Sequence, residues 1–198
     1  MKKFILVLFL FFSLHSLIKA DDIREFEIEG MSIGDSLLDH MNDNMIITEM
    51  NNKDYSYFYN NDFVAISTWN IRDKFETYDD VGVTLKTNDK EYKIYALQGT
   101  LYMEANSDIK ECYKKQNEIV NDLKNSLNLN NQGSTWFVDK KNLPKHQLSV
   151  KYIDFELNEG VVRTACFEIK KGVKKFSEVN KLYVIINSPT FWNYLENY

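Results

Sequence analysis

Three times along this chain two β-prone runs stand on either side of a gap of only three residues, and that spacing constrains the fold more than any other feature. The pairs are 55-YSYFY-59 and 63-FVAISTW-69, 81-VGVTLKT-87 and 91-EYKIYALQGTLYM-103, and 148-LSVKYIDFEL-157 and 161-VVRTACFEI-169. The gaps read Asn60-Asn61-Asp62, Asn88-Asp89-Lys90 and Asn158-Glu159-Gly160, residue types suited to tight turns. Strands joined so closely must run antiparallel, because a parallel pair needs a crossover of about a dozen residues or more. A further run, 181-KLYVIIN-187, and a short leading one, 25-EFEIE-29, complete the β-prone set.

Elsewhere the apolar period lengthens from two to three and four. From Ser107 to Leu127, the residues Ile109, Cys112, Tyr113, Ile119, Val120, Leu123 and Leu127 fall on one face of a helix, with Gln116 as the polar exception. Ser107 is placed to cap this helix, and Asp108 and Glu111 lie in its first turn, where acids are favoured. Nearer the start, Ile33, Leu37 and Met41 recur at four and form an apolar face with Leu38. A helix is therefore expected from Ile33 to about Met41, capped by Ser32 and Asp35, with a second helical turn through 44-NMIITEM-50. Ser188 before Pro189 predicts a short closing helix over 189–198.

The order of elements is that of an α+β protein. Its antiparallel sheet or sheets pack against one short N-terminal helix, one long central helix and a short C-terminal helix. The same order suggests two helix-then-sheet halves, about 21–105 and 106–198, within a single domain. The segment 129–147, with its Asn, Gly and Pro content, is expected to be a long exposed loop. Trp136 and Phe137 within it are either contact residues for a partner or anchors tucked into the core.

The first twenty residues, MKKFILVLFLFFSLHSLIKA, place Lys2 and Lys3 before an unbroken apolar run from Phe4 to Phe12 and end on the small Ala20. This is the pattern of a cleaved signal peptide, and its apolar run falls short of the roughly 20 residues of a membrane span. The folded domain is expected over 21–198, in the periplasm or secreted, with no stable membrane insertion after cleavage. Removing residues 1–20 takes three lysines and no acid, so the formal charge moves from −5 to −8. An acidic chain with only Arg24, Arg72 and Arg163 beside its scattered lysines lacks the clustered positive charge that nucleic acid or an anionic membrane requires. Cys112, facing inward from the helix, and Cys166, in a β-run, are an even pair in an exported chain. That predicts a disulfide stapling helix to sheet, the alternative being two buried free thiols.

Motifs that carry chemistry are sparse. Gly34-Asp35-Ser36-Leu37 resembles the signature of the GDSL serine hydrolases, in which the serine is the nucleophile. The resemblance implies a DxxH pattern near the C-terminus for the base and its acid, and a GxND block for an oxyanion donor. No histidine follows His146, Asp139 stands seven residues before it rather than three, and 59-YNND-62 lacks the glycine. The parallel sheet of that family also disagrees with a chain of hairpins. Ser36 is therefore read as a helix residue, with a Ser36 esterase kept as the alternative function. His40 with Asp39 and Asp43 is too poor a set for a metal, and no glycine-rich phosphate loop exists among seven glycines. No catalytic residue, metal or cofactor is expected.

The opening 27-EIEGMSIGDSLLD-39 and the stretch 109-IKECYKKQNEIVNDLK-124 are similar to a group of small exported α+β proteins of unknown function from AT-rich marine bacteria. More loosely, residues 28–41 resemble the start of BamE-like outer-membrane assembly modules and β-lactamase-inhibitor-like modules, where a Gly-Met-Ser/Thr turn opens the first helix. These resemblances imply a location and a fold, and no activity. The resulting expectation is a non-enzymatic binding or interaction module with a protein or small-molecule partner in the cell envelope.

Overall fold

The computed structural model describes residues 23–54, 56–104, 107–126, 133–139, 148–157, 159–169 and 179–197. The expected signal peptide and the remainder of the 129–147 segment lie outside these residues. A two-stranded hairpin, β1 (Glu27–Ile28) and β2 (Met31–Ser32), precedes α1 (Asp43–Met50). The strands β3 (Ser56–Tyr59), β4 (Phe63–Ser67), β5 (Asp80–Lys86) and β6 (Ile94–Tyr102) then run as an antiparallel meander. After α2 (Ile109–Ser126) comes a second meander, β7 (Ser134–Asp139), β8 (Leu148–Leu157), β9 (Gly160–Ile169) and β10 (Lys181–Asn187), followed by α3 (Pro189–Asn197). The two meanders join through their last strands, so the eight-stranded sheet has the order β3-β4-β5-β6-β10-β9-β8-β7. At this seam Leu182 stands opposite Leu101 and Ile186 opposite Leu97. The α+β class and the helix-then-strands order read from the sequence are those of the structure.

Strand alternation divides the sheet into two faces. Val64, Ile66, Val81, Val83, Leu85, Leu97, Phe155, Val162 and Ile186 are buried on one of them. Against that face α2 packs on β9 and β10, presenting Cys112, Gln116 and Val120 one turn apart. Gln116 is buried because its Nε2 donates to the main-chain carbonyls of Lys151 at 3.1 Å and Thr164 at 3.3 Å. Cys112 and Cys166 form the expected disulfide, with a Cα separation of 6.0 Å, and both are fully buried.

Three local expectations are corrected. Residues 33–41 do not form an α-helix: Gly34 adopts φ +98°, Ser36 bridges Lys93, and only a 3-10 turn over Leu37–Asp39 forms before α1. The backbone bonds a helix would need go instead to the chain entering β6. Gly34 N–H donates to the Ile94 carbonyl, Leu37 N–H to Tyr92, and Ile94 N–H to Asp35. Ile33, Leu37 and Met41 are nevertheless buried, whereas Leu38 is exposed. The second correction is at α2, where Asp108 rather than Ser107 caps the helix, its Oδ1 accepting from Lys110 N–H at 3.0 Å. Third, residues 134–139 are not loop but the edge strand β7, in register with β8 from Ser134 opposite Asp154 to Asp139 opposite Ser149. The run Thr135-Trp136-Phe137-Val138 consists of strand formers, which outweighs its Asn, Gly and Pro surroundings. At the C-terminus Ser188 caps α3 as expected, Oγ accepting from Phe191 N–H at 3.2 Å. No helix among the described residues is long and apolar enough to cross a membrane.

Candidate binding face

The helices α1 and α2 and the β1–β2 hairpin all pack on the same face of the sheet. On the opposite face, among the described residues, only α3 lies over the strands. It is held there by aromatic packing: Phe191 meets the rings of Phe63 at 5.1 Å and Tyr59 at 5.3 Å, edge to face. Tyr194 packs on Phe63 at 5.0 Å, and its hydroxyl donates to the Tyr59 carbonyl at 3.0 Å. Edge-to-face pairs of this kind contribute about 0.5–1.5 kcal/mol each beyond their buried area.

Beyond α3 the same alternation sets a diagonal row of aromatic rings across four strands. Tyr102 comes from β6, Tyr183 from β10, Phe167 from β9 and Tyr152 from β8, each two residues away in register from the ring on the next strand. Phe167 and Tyr183 are 4.7 Å apart and Phe167 and Tyr152 6.2 Å, both edge to face. Lys181 Nζ lies 5.0 Å from the Tyr102 ring. Tyr102 is exposed and the other three rings are half-buried, so the row faces outward.

Arg163 connects this row to α3. Its Nε and Nη2 donate to the two carboxylate oxygens of Asp154, both at 2.7 Å, and its guanidinium lies 4.8 Å from the Tyr152 ring and 5.0 Å from the Trp192 ring. The pairing follows from register, since Asp154 on β8 stands opposite Arg163 on β9. A planar, bidentate cation between two rings is the arrangement for which arginine is better suited than lysine.

Burial shifts the titrating groups on the face. Burial pushes the Tyr183 hydroxyl well above the usual phenol range, with Tyr102, Asp80 and Tyr152 adding to the effect, so it remains a neutral donor. Burial also raises the Asp80 carboxyl, against the 2.8 Å bond from the Ser67 hydroxyl and the charges of Lys181 and Arg72. It lowers Lys181, which the Asp80 charge opposes. The face thus sets rings and hydroxyls beside the charged pairs Asp80 with Lys181 and Asp154 with Arg163.

The residues singled out from sequence are dispersed. Ser36 Oγ donates to the Glu91 carbonyl at 2.5 Å and accepts from Leu38 N–H at 3.3 Å, which is structural use of a hydroxyl. His40 closes the 3-10 turn, its N–H donating to the Leu37 carbonyl, and Asp43 accepts from the Tyr92 hydroxyl at 2.6 Å. Among the described residues no three His, Cys, Asp or Glu side chains converge as metal ligands. Cys112 and Cys166 lie beneath α2. Trp136 and Phe137 lie in β7 at the sheet edge, where Trp136 holds the register position opposite Tyr152 and Phe137 is exposed.

The aromatic row and Arg163 were not among the sequence candidates. Their signal was present: period-two alternation puts Tyr152 with Asp154, Arg163 with Phe167, and Lys181 with Tyr183 on one face. No protein-family model matches the chain, and comparison with curated proteins and with solved structures gives no match.

Proposed function

We propose that this chain is an exported, non-enzymatic binding protein that takes a protein partner on the face of its sheet not covered by α1 and α2. The observation that carries the reading is the row Tyr102, Tyr183, Phe167 and Tyr152, outward-facing rings set on rigid central strands. Tyrosines and phenylalanines of this kind supply large contact area at little conformational cost, and such residues dominate protein–protein binding energies. The disulfide and the signal-peptide pattern of residues 1–20 support export to an oxidising compartment.

A photo-crosslinking amino acid placed at Tyr102, and separately at Lys115 on α2, tests the reading in cell-envelope extracts. Crosslinks to one discrete protein from position 102 that Phe167→Asp abolishes, with none from 115, are expected. Equal crosslinking from both positions, or none from 102, counts against it. Fractionation with N-terminal sequencing of the processed chain tests export separately.

A further inference from the structure

On the face of the sheet that carries α1 and α2, the cover is incomplete. Helix α2 packs on β9 and β10, while the β1–β2 hairpin packs on β6. Between these two covers runs a cleft of about 380 Å³, a volume within the range of small-molecule sites. Val184 of β10 lies at its floor, and Ile119 and Leu123, one turn apart on α2, form one wall. Phe26, just before β1, and Tyr78, whose ring lies on Gly99 of β6, form the other. These four wall residues are only half-buried, so apolar surface remains open in the cleft.

Charge on the cleft has one sign. Glu25, Glu27 and Asp122 line it and are all exposed, which places their carboxylates at its opening. No Lys, Arg or His is among the described residues that line it, and Arg24 pairs instead with Glu159 at 3.6 Å. Two properties therefore coincide: apolar walls that favour a hydrocarbon body, and an acidic mouth that favours a positive head. An anion is repelled there, and a neutral apolar molecule leaves the carboxylates unused. A second copy of this chain, with its formal charge of −5, brings the wrong overall sign.

We propose that this cleft binds a small organic cation with an apolar body, an alkyl- or arylammonium. Its hydrocarbon part lies against Phe26, Ile119, Leu123 and Val184, and its ammonium sits among the three carboxylates. Val184 alternates with Tyr183 along β10, so the cleft and the aromatic row lie on opposite faces of the sheet and the two readings are independent.

The test titrates the folded protein with octylammonium, octanol and octanoate, each below its micellar concentration, following methyl signals by NMR. Saturable shifts at Ile119, Leu123 and Val184 are expected with octylammonium. An exposed ion pair contributes little singly, so the three carboxylates together are expected to favour octylammonium over octanol by about tenfold. Asp122→Lys, at an exposed position on α2, should remove that preference, while Glu196→Lys, an equal change of charge on α3 across the sheet, should keep it. No saturable shift with octylammonium overturns the proposal. So does octanol or octanoate binding as tightly, or a preference that survives Asp122→Lys. Shifts of the same methyls on dilution without ligand assign the cleft to a second copy and overturn it as well.

Discussion

Removing the link between Cys112 and Cys166 perturbs the fold at one defined point. The bridge joins residues 54 apart in sequence, and in the chain-entropy model closing a loop of that length lowers unfolded-state entropy enough to stabilise the fold by about 4 kcal/mol at 25 °C. For a domain of this size each kcal/mol corresponds to about 2–4 °C in midpoint, so the expected fall is about 8–16 °C. The reduced wild-type protein isolates the link, because both sulfurs stay in the core; Cys112→Ala with Cys166→Ala adds the loss of two buried atoms and should fall slightly further. The assay is thermal unfolding of oxidised and reduced protein, with reduction verified by intact mass. Hydrogen exchange adds a spatial readout. The link ties the first turn of α2 to β9, so amides of α2 should lose more protection than those of β4 and β5. A reduced protein melting within about 3 °C of the oxidised one would refute the reasoning.

Three further outcomes are expected. Arg163→Ala removes the bidentate partner of the buried Asp154 carboxylate and strips the contact to Trp192, and should cost about 3–5 kcal/mol in urea denaturation; a cost under about 1 kcal/mol would contradict this reading. Two glutamates should shape the pH profile in opposite senses. Burial acts to raise Glu29, but main-chain N–H donors at Glu76, Tyr78 and Thr77, 2.7–2.8 Å away, outweigh it and lower its carboxyl, so its contribution is present above the ordinary carboxylate range and is lost as pH falls through it. Burial and the Asp80 charge raise Glu49 against hydrogen bonds from Asn52 and Asn70, favouring its protonated form, so its contribution is greatest in acid and declines as pH rises through the raised value. Glu29→Gln should therefore flatten the acid limb of stability against pH, and Glu49→Gln should gain most at neutral pH; identical profiles for both variants would contradict the assignment. Finally, Ser36→Ala should cost about 1 kcal/mol through the lost 3-10 cap, and a fluorophosphonate probe should leave Ser36 unlabelled.

The elements legible in the sequence are those whose signals are local. β10 spans 181–187 as read, because its flanks and its alternation agree, and α3 starts where Ser188 and Pro189 place it. The disulfide was legible because a helical period aimed Cys112 inward. Misreadings arose where tertiary pairing overrode local pattern. Ile33, Leu37 and Met41 have helical spacing, but the 3-10 turn and bridge around Ser36 bury the same side chains while lending backbone groups to the β6 approach. The candidate face was not legible because it depends on which strands adjoin. Nothing near Tyr102 or Lys181 announces that β6 and β10 pair, yet that pairing brings Tyr102 beside Lys181 and Tyr183.

That seam also governs how the sheet can assemble. A meander completes itself strand by strand, but the inner edge of β6 has no partner until residues 181–187, at the far end of the chain, arrive beside it. A chain emerging from its N-terminus would carry that long edge open from the completion of β6 at Tyr102 until β10 arrives at Lys181, a template for pairing with other chains. The central join of the sheet thus waits on the strand that follows all the others in the chain.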